Sequence, residues 1–154
     1  MKIDRKGAVN KMKIQKLAWY AGLVSLAILF LGAGCSVSKD KEKSEAAVAE
    51  FHKLFNEGRF DVIYRQSSSK FKEAVTEEQL NNLLDMVKTK LGDVNDTKLS
   101  GWNFYVGTAG STTTLGYESK YTKGDAVEQF QFIAEGGEVK LLHFNVNSPL
   151  LFSK

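Results

Sequence analysis

The chain has one cysteine, one proline and two histidines. A single cysteine excludes an internal disulfide and any cysteine-rich zinc site. Two histidines leave little material for a metal centre, which needs three or four placed ligands, so neither a metal nor a diffusible cofactor is expected. No phosphate-loop ending is present: Gly107-Thr108-Ala109-Gly110-Ser111-Thr112 lacks the Gly-Lys-Ser/Thr close and reads as a hairpin loop. Ser67, Ser68 and Ser69 lack the frame of a nucleophile elbow. A surplus of positive charge is also missing where it would matter. Residues 1–34 carry six of the 21 basic residues and one of the 18 acidic ones, which leaves 15 basic and 17 acidic from Cys35 onward, net −2. Nucleic acid is therefore not an expected partner.

What is present begins with an address. Lysines crowd the start, and Leu17 to Leu31 then runs without a charge. Fifteen helical residues rise only about 22 Å, short of a bilayer core of about 30 Å, and this suits the apolar region of a secretory signal. Met12 opens a second conventional signal start, Met-Lys-Ile-Gln-Lys-Leu-Ala. The run closes on Leu31-Gly32-Ala33-Gly34-Cys35, where small residues precede the lone cysteine.

This segment resembles the lipobox of bacterial lipoproteins. The resemblance implies cleavage after Gly34, a covalent lipid on Cys35 and a membrane-anchored place in the cell envelope. The usual leucine three residues before the cysteine is Gly32 here, with Leu31 one place earlier. Ser36 follows the cysteine where an aspartate would mark inner-membrane retention, so in a host with two membranes the family pattern implies the periplasmic face of the outer one. The chain thus divides into a signal peptide, 1–34, a lipidated flexible tether, 35–43, and a single domain, 44–154.

Within that domain, Ser44 offers a helix cap, and Val48, Phe51, Leu54 and Phe55 recur at helical spacing up to Gly58. A short helix from Phe60 to about Tyr64 follows. Thr76-Glu77-Glu78-Gln79 is a capping box for a stripe of Leu80, Leu83, Leu84, Val87 and Leu91, stopped by Gly92. The period then changes to two. Trp102, Phe104 and Val106; Leu115, Tyr117, Ser119 and Tyr121; Phe130 and Phe132; and Leu142, Phe144 and Val146 define four strands separated by turn signals. The expectation is an α+β fold: helices packed on one face of a four-stranded antiparallel meander, with Trp102 and the strand aromatics in the core. Element order and the Asn56-Glu57-Gly58-Arg59-Phe60 opening are similar to the nuclear transport factor 2-like and cystatin-like group, which holds enzymes, binders and interaction modules alike.

Candidate residues fall into two sets. His143, Gln131, Gln129, Glu118 and Asn145 are expected on the polar sheet face, either as a contact surface for an envelope protein or second copy, or as plain solvated exterior. His52, Asp61 and Tyr64 are candidates for a helix–sheet pocket, where a histidine or a carboxylate beside tyrosine supports acid–base work; otherwise they are core-edge residues. The first set makes the protein a non-catalytic, membrane-tethered interaction module. The second makes it a small-molecule binder or small enzyme, a reading that needs an open cavity instead of one filled by the aromatic set.

Overall fold

The computed structural model describes residues 34–108 and 110–153. Residues from Lys39 onward form one compact unit. The apolar run 17–31 and the first three residues of the lipobox lie outside the described residues, and Cys35 is described in its backbone alone. Among the described residues, no helix is long and apolar enough to cross a membrane.

The fold is α+β. Four helices, α1 (Gly34–Asn56), α2 (Phe60–Gln66), α3 (Ser69–Ala74) and α4 (Glu77–Leu91), precede four strands, β1 (Val94–Gly107), β2 (Gly110–Tyr121), β3 (Asp125–Glu135) and β4 (Glu138–Asn147), and a 3-10 turn at Pro149–Leu151. The strands form one antiparallel sheet in the order β1-β2-β3-β4. This agrees with the expected meander and with a helix–sheet fold of the nuclear transport factor 2-like and cystatin-like kind.

Local chemistry explains the helix boundaries. Thr76 Oγ1 accepts from the Gln79 amide while the Gln79 side chain accepts from the Thr76 amide, completing the capping box of α4. Gly92 ends α4 at φ +82°, and a Cβ there would meet the Thr122 Cβ at 2.9 Å. α1 ends in a Schellman-type turn: Gly58, at φ +71°, donates to Phe55 and Arg59 donates to Leu54. The Lys88 ammonium, at the end of α4, donates to the carbonyls of Phe55 (3.1 Å) and Asn56 (2.7 Å) and to Asp93 (2.6 Å). A cation thus sits where the α1 dipole leaves negative charge.

The start of α1 differs from the sequence expectation. Ser44 does not cap; its hydroxyl donates to the Asp40 carbonyl from within the helix, and the polar stretch expected as a tether, 35–43, is helical. An i,i+4 pair, Lys41–Glu45 at 2.6 Å, supports that stretch. Such pairs between charged side chains sustain a helix that has no apolar stripe, which is why periodicity does not reveal it.

The core lies between the helices and the inner sheet face. Phe51 of α1 meets Phe130 and Phe144 with ring centroids 5.1 and 4.8 Å apart, and Leu80, Leu84, Val87 and Leu91 of α4 are almost wholly buried. Trp102 is a correction: it is 47 % exposed and stands outside this core, as does Val106. β4 brings another. A register shift opposite Gln131/Phe132 makes Leu141, not Leu142, the inward residue. The extra residue of a bulge inverts the alternation on one side of it.

Thr76→Ala is expected to cost about 1 kcal/mol of stability. Gly92→Ala is expected to cost more, because strain at positive φ adds to the clash with Thr122. Urea unfolding of the two variants beside the parent checks both; equal or reversed losses would contradict this account of the α4 ends.

Candidate functional site

In β3, Ala126, Glu128, Phe130 and Phe132 share the inward face. Glu128 is therefore a carboxylate set into the apolar layer, and it is 0 % exposed. β2 supplies its hydroxyl donors. Tyr117, Ser119 and Tyr121 point inward at alternate positions. Ser119 donates to Glu128 Oε2, and Tyr121 donates to Oε1 at 2.6 Å. From above, α1 lowers His52 between Phe51 and Leu54, and its Nε2 lies 2.9 Å from Glu128 Oε2. A carboxylate only accepts, so Nε2 carries the hydrogen. The His52 ring is edge-on to Phe130 at 5.5 Å and to Tyr117 at 6.4 Å.

The electrostatics follow from this packing. Burial alone raises the Glu128 pKa, but the His52 bond and charge and the two hydroxyl bonds outweigh it, so the net shift is downward from the ordinary 4.5. Burial pushes the Tyr117 phenol up to about 12, helped by the negative charges of Glu45 and Glu128. Tyr121 is raised further, by burial first and then by the charge and hydrogen bond of Glu128. Both phenols stay protonated at any ordinary pH, and the site holds one ionised carboxylate among donors.

A histidine bonded to a carboxylate is an acid–base pair by composition. Access decides what it can do. The inner layer is filled by Phe51, Phe130, Phe132, Phe144 and Tyr117. A space of about 110 Å³ between α1, α2 and the sheet is lined by Phe51, Leu54, Ile63, Phe132 and Leu141, and an open depression of about 540 Å³ beside it is bordered by Lys43, Ala47, Arg65, Gln66, Glu138 and Lys140; neither is lined by His52 or Glu128. The enclosed space is below the range of ordinary ligand pockets, and the open depression reaches neither member of the pair. Asp61 and Tyr64 stand apart from the pair. Asp61 is bound to Arg65 at 2.5 Å, and this bond leads the causes that lower its pKa; Tyr64 packs half-buried against the core. Among the described residues, no hydrogen bond joins either to His52, and no group of three His, Cys, Asp or Glu side chains is placed to hold a metal.

The other candidates do come together. Gln131 pairs with His143 and Gln129 with Asn145 across β3 and β4, while Glu118 pairs with Lys98 on one side and Val127 on the other. All five lie on the outer sheet face; Gln131 is half-buried and the other four are exposed. Toward the β2–β3 turn this face sinks into a depression of about 490 Å³ bordered by Asp96, Lys98, Glu118, Asp125, Val127 and Asn147.

Sequence reasoning missed Glu128. The signal was available in the alternation: a glutamate in phase with Phe130 and Phe132 points inward, and Ser119 and Tyr121 in phase with Tyr117 stand ready as donors. No model of a known family matches the chain, and no curated protein matches it in sequence.

Two outcomes test the buried pair. His52→Ala leaves a buried carboxylate short of a partner and is expected to cost about 3–5 kcal/mol in urea unfolding. With the folded pKa of Glu128 below the ordinary 4.5, its stabilisation is fully present above the ordinary value and is lost as pH falls through the folded one. The parent should therefore lose stability on acidification below about pH 4.5 more steeply than Glu128→Gln; identical acid profiles would refute the assignment.

Proposed function

We propose that the protein is a lipid-anchored, non-catalytic interaction module of the bacterial cell envelope, which meets a protein partner through the outer face of its sheet. The observation that carries this reading is the contrast between the two faces. The inner one is closed by aromatic packing around a saturated carboxylate. The outer one is open and carries mixed charge, amides and the exposed Val127. The lipobox resemblance at Leu31-Gly32-Ala33-Gly34-Cys35 supports the anchor. Several acyl chains on one cysteine hold a protein stably at a membrane, since each buried methylene contributes about 0.8 kcal/mol.

A photo-reactive residue at position 131 or 145, in the full chain in its bacterial host, tests the face. The expected result is a cross-linked product of one defined mass that His143→Ala weakens and that the same probe at Thr89, on the exposed side of α4, does not give. Equal labelling from both sides of the molecule would overturn the surface assignment. The anchor is read separately, from lipid mass on Cys35 and its loss in Cys35→Ser.

A further inference from the structure

The far half of β1 has a surface unlike the rest. No charged residue occurs between Lys98 and Glu118, so the distal parts of β1 and β2 are neutral throughout. Within five residues of β1, Trp102, Tyr105 and Val106 are 47, 67 and 69 % exposed, and Phe104 is half-buried. Among the described residues, the other large exposed apolar ones, Met86, Val127 and Phe152, are scattered singly, as on any protein.

The pairing register tells the two faces of this tip apart. Trp102, Phe104 and Val106 are opposite Leu115, Thr113 and Ser111, and Tyr105 is opposite Thr112 on the other face. A strand that docks one face on a protein keeps the other face polar. Here apolar side chains stand on both faces of a charge-free tip, an arrangement suited to a medium that surrounds it. Trp and Tyr are also the residues that favour the headgroup level of a bilayer. Charge lies at the near end of these strands instead, in Asp93, Asp96, Lys98, Lys120 and Asp125.

A second observation concerns where the tip stands. The Lys41 ammonium lies 5.8 Å from the centroid of the Trp102 ring. Lys41 is only six positions from Cys35, at most about 21 Å when fully extended. A lipid on Cys35 therefore keeps this corner of the domain close to the bilayer.

We infer that the β1–β2 tip, Gly101–Gly107 with its β2 partners, enters the headgroup layer of the membrane to which the chain is tethered. The inference rests on the lipid-anchored reading for its geometry. The four residue steps from Trp102 to Val106 span about 14 Å. Val106 and Tyr105 reach the acyl boundary at the usual interfacial depth of about 5–10 Å, and Trp102 stays among the headgroups, with Lys41 beside it at the phosphates. β1 is an edge strand, and its outward amides need water or headgroup oxygens, so the tip goes no deeper. The contact need not be strong, because the anchor raises the effective concentration of the tip at the surface.

The test uses the lipidated chain from Cys35 onward, in which Trp102 is the only tryptophan once cleavage after Gly34 has removed Trp19. It is reconstituted in phosphatidylcholine vesicles, with and without acyl chains brominated near the headgroup. The expected result is that Trp102 loses most of its emission in the brominated vesicles, that added salt changes nothing, and that Tyr105→Ser with Val106→Ser restores the emission. Unquenched Trp102 on a chain whose Cys35 carries lipid by mass would overturn the inference and leave the anchor standing. Quenched Trp102 on a chain without lipid would do the reverse. Quenching that survives the double variant, or its replacement by cross-links between the β1 strands of two copies, would also overturn it.

Discussion

The ionised carboxylate of Glu128 constrains the rest of the domain. A charge with no exposure is tolerable only while its acceptor positions are filled, and its three donors come from two different elements, α1 and β2. Sliding β3 by one residue would turn the carboxylate to the outer face and Gln129 to the inner one. Rotating α1 would withdraw His52. Apolar packing in the core drives collapse, but packed apolar side chains tolerate small displacements better than a buried charge does. The hydrogen bonds therefore select one alignment of helix layer and sheet from those that the apolar contacts alone would accept.

The saturation of that carboxylate also separates the two sides of the molecule. Its donors are engaged inward and the space around them is filled, so the pair itself is closed to a ligand. Two open surfaces differ from it: the outer face, where Gln129, Gln131, His143 and Asn145 form adjacent cross-strand pairs, and the neutral tip of β1 and β2. These surfaces differ in chemistry, one mixed in charge and the other without charge, and they suit different neighbours.

The sequence conveyed the fold through its two periodicities. The α4 stripe and its capping box, the glycine stops and the four alternating runs were all legible, because each is a local pattern with a local cause. The polar face was legible for the same reason: parity along a strand sets which residues share a side. The failures were non-local. Trp102 has the same parity as buried Leu115, but whether a helix covers that end of the strand depends on where α1 lies. Leu142 lost its inward place to a bulge that one strand's sequence does not announce. The helix through 35–43 lacks an apolar stripe, and among the described residues one i,i+4 pair, Lys41–Glu45, supports it. Glu128 was readable by parity, yet its tolerance in the core depended on His52, 76 positions away in sequence.

One small clasp bears on how this architecture can vary. The Asn56 side chain both donates to the Val94 carbonyl and accepts from the Val94 amide, at 2.9 and 2.8 Å across 38 positions. It joins the end of α1 to the first residue of the sheet, much as a strand partner would. α2, α3 and α4 lie between the two clasped points, so they form a closed excursion from a helix–sheet frame whose ends already meet. The closure entropy of such an excursion grows only slowly with its length. Residues can thus be added in the loops around α2 and α3 with little effect on where α1 meets the sheet, whereas the helices themselves are held by Phe60, Ile63 and Phe71 in the core.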